Sequence, residues 1–196
     1  MDPSRRAFVL AIVAFFLCIG VAAISLGALW MFDPGGLGSS PTRTREAPYG
    51  IVSLQIAGTE GRAKRIVTSW GADGLEHARQ ETFRDWLMLI PGYVLVLSLG
   101  VWASGISLSW HGWCGWARAG RWVAIGIVVA GILDAIENIF LLCMIGHAEA
   151  GRALGSICPA GSIAFASPKI LLLLLGVLYV LLGLSSWPIG AVVRRV

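Results

Sequence analysis

Within the run Gly131-Ile-Leu-Asp-Ala-Ile-Glu-Asn-Ile-Phe140, three polar side chains interrupt an otherwise apolar stretch: Asp134, Glu137 and Asn138. On a helix, positions i, i+3 and i+4 share a face, so these groups project together. The stretch that carries them runs from Trp122 to Ile145, long enough at about 1.5 Å per residue to cross a hydrocarbon core of about 30 Å. Asp134 falls near its middle, where an ionised carboxylate costs about 2.5–3.5 kcal/mol on insertion scales. The polar face must therefore turn away from lipid. Two carboxylates one turn apart suit cation binding, proton exchange or general acid–base work. The structural alternative is interhelical glue, in which the same groups are satisfied by neighbouring helices.

Further candidates lie on the other apolar stretches. Lys169 borders the last of them and supplies positive charge, or serves as a snorkelling anchor. Tyr179 lies deeper in the same stretch. Arg84-Asp85 precedes another, followed by Pro91 and Tyr93. Pro91 has no N–H to donate and predicts a kink one turn back. The candidate pocket is accordingly Asp134, Glu137, Asn138, Tyr93, Tyr179, Lys169 and Asp85, with no catalytic residue assigned.

The elements that must position these residues follow from composition. Hydrophobic residues make up 57% of the chain and charged residues 13%, against about 25% charged in ordinary globular proteins. Four apolar runs account for the difference: 7–32, 86–110, 122–145 and 170–193. Trp30, Trp86, Trp110, Trp113, Trp116, Trp122 and Trp187 fall at or near their ends, as indole rings favour the headgroup layer. The expected fold is all-α, a four-helix transmembrane bundle forming one domain over 1–196. The first run, preceded by Arg5 and Arg6, exceeds the h-region of a signal peptide and is read as a signal anchor.

Basic residues set the expected orientation. Arg5, Arg6, Arg118, Arg121, Arg194 and Arg195 all fall on one side if both termini are cytoplasmic. The loop 33–85 holds seven further basic residues, but long loops cross largely regardless of charge. This gives an N-in, C-in multi-pass protein with 33–85 extracytoplasmic. The net charge of +4 does not indicate nucleic-acid binding, because no basic stripe with interleaved aromatics is present.

Within 33–85, Asp33-Pro-Gly-Gly36 ends the first helix and the stretch to Pro48 reads as an irregular linker. Ile51–Ile56 alternates in a weakly strand-like way. Thr59 is placed to cap a helix carrying Ala63, Ile66, Val67 and Trp70 on one face. Asp73 and Glu76 have capping-box spacing. The helix they open is expected to continue into the second span, with Leu75, Ala78, Thr82 and Trp86 towards the membrane. An amphipathic helix lying at the interface is the expectation, with an extracytoplasmic cap over the bundle or a docking surface as the other reading.

The sequence identifies no cofactor. It has no Cys-x-x-Cys, haem-attachment or metal motif, and no phosphate-binding Gly-rich loop. His77 and His147 could meet on one side, but two histidines without further ligands are weak metal evidence. Cys143 and Cys158 are both expected near the outer face, where a disulfide is permitted.

Ser53-Leu-Gln-Ile-Ala-Gly-Thr59, Arg84-Asp85 with Pro91 and Tyr93, Asp134-Ala-Ile-Glu-Asn138, and Lys169 with Tyr179 together resemble a group of uncharacterised bacterial four-span integral membrane proteins. The resemblance spans Val52 to Leu184. It implies a four-helix fold in the bacterial inner membrane and brings no activity. Three functions are open at this stage. The first is a polar intramembrane pocket binding a small molecule or lipid. The second is an accessory subunit of a larger respiratory or photosynthetic membrane complex, with other membrane-protein subunits as partners. The third is a component of a proton or ion pathway, disfavoured by the lack of a polar ladder in the inner half.

Overall fold

The computed structural model describes residues 40–193, together with the isolated positions Leu10, Ala14 and Gly20. Apart from those three positions, the expected span 7–32 lies outside the described residues. The regular elements of the described chain are all helical: α1 (Ile51–Gln55), α2 (Glu60–Arg84), a π-helical turn (Asp85–Leu89), α3 (Ile90–Trp110), α4 (Cys114–Glu149) and α5 (Ile157–Val193). Three helical stretches are long and apolar enough to cross a membrane, Glu60–Ser109, Cys114–Glu149 and Ile157–Gly183. Among the described residues every regular element is thus helical, and three of the helices have the length and composition of membrane spans.

Two compact units divide these helices. In its described residues the first takes Pro91–Gly131 and the stretch from Ile170 onward; the second takes 40–90 and Ile132–Lys169. The core of the first unit is Val101, Leu108, Ile127 and Tyr179. Small residues let its helices approach closely. A Cβ on Gly126 would stand 3.3 Å from Leu172, and one on Gly120 would collide with the Tyr179 hydroxyl. On α5, Leu171, Leu174, Leu178 and Leu181 are each more than half exposed. Lipid tails, not water, are the solvent such a row suits.

The second unit is built largely from the polar stretch after residue 40. Ile51–Ile56 is not extended: Ile51–Gln55 is the helix α1. Local groups decide this, since Gly50 takes φ 57° to turn the chain and the Ser53 hydroxyl accepts the Tyr49 N–H at 3.0 Å. Among the described residues there is no strand with which the segment could pair.

Thr59 caps α2 by accepting the Arg62 N–H, as its position predicts. Ala63, Ile66, Val67 and Trp70 are all buried on one face. At Gly71 the backbone leaves helical geometry, with φ 63° and ψ −168°, and the helix then resumes with a new direction. Leu75, Ala78 and Thr82 do not face the membrane as expected. They are buried, and Leu75 and Ala78 belong to the same core cluster as Leu141, Met144 and Ile145 of α4. An apolar face already covered by protein has no need of the bilayer interface.

The kink expected at Pro91 takes the form of the π-helical turn just before it. Ile90 donates its N–H to the Asp85 carbonyl, five residues back, instead of to Trp86. One residue is thereby inserted into the turn, a distortion often found at functional sites. It changes the direction in which Asp85 projects relative to a regular helix.

Finally, α5 starts at Ile157, well before the apolar run at 170. Cys158, Ser162 and Ala166 recur at i+4 spacing and are buried. The Ser162 hydroxyl donates to the Gln55 carbonyl at 3.1 Å and joins α5 to α1. Phe140 and Phe165 stack with centroids 5.7 Å apart, joining α4 to α5.

Candidate ligand-binding site

On α4, Asp134, Glu137, Asn138, Leu141 and Ile145 follow the helical repeat, and all are buried. Ile132 and Ile139 on the opposite face are more than half exposed. The polar face of the α4 sequence thus points into the second unit. The Lys169 ammonium donates to Asp134 Oδ1 at 2.7 Å and to Glu137 Oε2 at 2.5 Å. These side chains are 13%, 8% and 1% exposed, so the three charges are held almost out of water. Lys169 is therefore not a snorkelling anchor. It sits between two carboxylates and compensates both.

Asn138 makes the second connection. Its Nδ2 donates to Asp85 Oδ2 at 2.6 Å. Its Oδ1 is buried and has no hydrogen-bond partner. An unsatisfied buried carbonyl costs about 1–3 kcal/mol, so the position favours a donor arriving from elsewhere.

These residues border a cavity of about 370 Å³ that lies wholly within the second unit. Its buried floor includes Glu81, Thr82, Asp134, Asn138 and Leu141. Arg43, Tyr49 and Val52 are exposed at its edge. Ile51, Val52, Leu89 and Leu141 make part of the wall apolar. Charged side chains on the lining are three carboxylates, Glu81, Asp85 and Asp134, against two cations, Arg43 and Lys169. Glu137 sits behind this wall, sharing Lys169 with Asp134. Burial pushes the Glu81 carboxyl above its ordinary pKa of 4.5, opposed by His77, whose Nε2 lies 3.3 Å away, and by Arg84 and Arg43.

Of the seven candidates from the sequence, Asp85, Asp134, Asn138 and Lys169 line the cavity and Glu137 braces it. Tyr93 and Tyr179 do not line it; both belong to the first unit. The Tyr179 hydroxyl donates to the Trp116 carbonyl at 2.9 Å and lies against Gly120, which makes it a packing residue. Sequence reasoning missed Arg43, Tyr49, Gln55, Glu81 and Thr82, all from the stretch read as linker, strand and surface helix. The burial of Glu81 has one signal, its place one turn after Ala78 on the apolar face.

His77 engages Glu81 rather than His147. His147 instead lies near two cysteines: Cys143, His147 and Cys158 bring three potential ligand atoms within 4.8 Å of one another. Cys143 and Cys158 are free thiols, not a disulfide.

Comparison of the chain with known protein families, with curated proteins and with solved structures finds no match. The functional reading accordingly rests on the site.

Proposed function

We propose that this protein is a membrane-embedded binding protein whose cavity takes a small amphiphile or lipid by a hydrogen-bond-donating, cationic or hydroxyl head group. The observation that carries the reading is the orphan Oδ1 of Asn138, a residue of a cavity lining where carboxylates outnumber cations. A donor head would satisfy that oxygen and offset the negative excess, while Ile51, Val52, Leu89 and Leu141 cover an apolar body. The volume falls in the range of small-molecule sites, about 300–1,000 Å³. No reaction is assigned, because Lys169 engages both carboxylates that would otherwise form the acid–base pair. The setting we infer is the bacterial inner membrane, with both termini cytoplasmic and 33–85 outside.

Native mass spectrometry of the gently extracted protein tests this. The expected result is one retained small molecule or lipid, lost on Asp85→Asn or Asn138→Leu. Recovery inside a larger assembly that these substitutions leave unchanged would establish the accessory-subunit reading instead.

A further inference from the structure

Cys143 and His147 stand one turn apart near the end of α4, and Cys158 is the second residue of α5. The i, i+4 spacing on α4 aims the first two side chains along one face, and the Cys143 sulfur lies 3.5 Å from His147 Nδ1. With zinc–sulfur bonds of about 2.3 Å and zinc–nitrogen bonds of about 2.0–2.1 Å, tetrahedral coordination separates neighbouring ligand atoms by about 3.5–3.8 Å. One pair already has that separation, and all three atoms lie within 4.8 Å of one another. Closing the remaining gap needs shifts of about 1 Å, within reach of side-chain rotation. Cys158 is buried, while Cys143 and His147 are half-buried, so the ligands are sheltered without being sealed.

From this geometry we propose that Cys143, His147 and Cys158 bind one zinc-class divalent cation, with a fourth coordination position left for water or a small ligand. The ligand set is soft sulfur plus imidazole, which selects zinc-like ions over magnesium or calcium. On binding, each thiol releases its proton to solvent, and two thiolates then cancel the charge of the dication. A neutral site of this kind costs little to place in a partly buried setting. The ion joins the last turns of α4 to the first turn of α5 across the loop 150–156. It uses none of the residues that line the cavity, so it stands or falls independently of the binding reading.

Cobalt substitution tests the site. The full chain is purified in detergent with its thiols reduced, in a Cys18→Ser/Cys114→Ser background, and titrated with Co²⁺ alone. The expected result is one equivalent bound, with thiolate-to-cobalt charge-transfer absorption and the d–d bands of tetrahedral cobalt, both abolished by one equivalent of Zn²⁺. Cys158→Ser and His147→Gln each weaken binding by about tenfold or more. Should either variant fail to fold, the titration of the background protein still decides. Absence of the charge-transfer band with thiols shown to be reduced overturns the proposal. So does isolation of the native protein, with free thiols blocked at lysis, as a Cys143–Cys158 disulfide.

Discussion

Asn138 and Asp85 meet across 2.6 Å, one on α4 and the other at the first residue of the π-helical turn. Neither position explains the contact alone. The inserted residue of the π-turn re-aims Asp85, and the i, i+4 relation to Asp134 aims Asn138. Their bond uses the Asn138 amide nitrogen and leaves its oxygen buried without a partner, in a residue that lines the cavity.

This pair is energetically coupled. Asn138→Leu strips Asp85 of its donor and is expected to cost about 1–3 kcal/mol. Asp85→Leu leaves the Asn138 amide unsatisfied at a comparable cost. The double variant should lose less than the sum, with a coupling of about 1–3 kcal/mol. Denaturant titration of helical circular dichroism in detergent measures all three.

Lys169 offers a sharper contrast. Lys169→Met leaves two buried carboxylates without their cation and should destabilise the protein by about 3–5 kcal/mol. Adding Asp134→Asn and Glu137→Gln to that variant removes the uncompensated charge and is expected to restore most of the loss. A triple variant as unstable as Lys169→Met would show that the cation acts by packing, not by compensation.

Two glycines of α2 are needed for different reasons. Gly71 has open space around it but φ 63°, so Gly71→Ala should cost about 1–2 kcal/mol through the backbone alone. Gly74 has no room: a Cβ there would stand 2.7 Å from the Trp70 Cβ and 2.9 Å from the Pro41 carbonyl. Gly74→Ala is expected to cost about 1–3 kcal/mol and to speed hydrogen exchange in 40–50, which Gly71→Ala leaves unchanged.

Glu81 gives stability a pH dependence. Burial raises its folded pKa above the ordinary 4.5, so the folded protein holds that proton more tightly than the unfolded chain. The resulting contribution is complete below pH 4.5 and is lost as pH rises through the folded value. Glu81→Gln should therefore flatten the fall in melting temperature as pH rises above 4.5. An unchanged slope in the variant would assign the dependence to another group.

Periodicity made the α4 face legible from sequence: Asp134, Glu137 and Asn138 lie together because three- and four-residue spacings share a helical face. The pairing of Lys169 with Asp134 and Glu137 was not legible, because a lone Lys bordering an apolar run reads equally well as a snorkelling anchor. What escaped depends on tertiary packing. Alternation in Ile51–Ile56 suggests a strand, but Gly50 and Ser53 close a helical turn there and no partner strand is available. The loop chain that supplies Arg43 and Tyr49 to the cavity carries no periodic signal. Tyr93 and Tyr179 were grouped with the carboxylates by depth along their spans, yet depth does not fix which face a side chain occupies. Cys143, His147 and Cys158 form no recognised spacing because the grouping is closed by a second helix.

The central claim is that the cavity selects a donor head group, and a matched pair of ligands tests it most directly. Thermal midpoints are measured in detergent with a primary alkylamine and with the alkyl carboxylate of the same chain length, for the native protein and for Asp85→Asn. The account predicts a rise of several degrees with the amine, little or none with the carboxylate, and loss of the difference in Asp85→Asn. Equal shifts for both ligands, or an amine effect that survives Asp85→Asn, would contradict it.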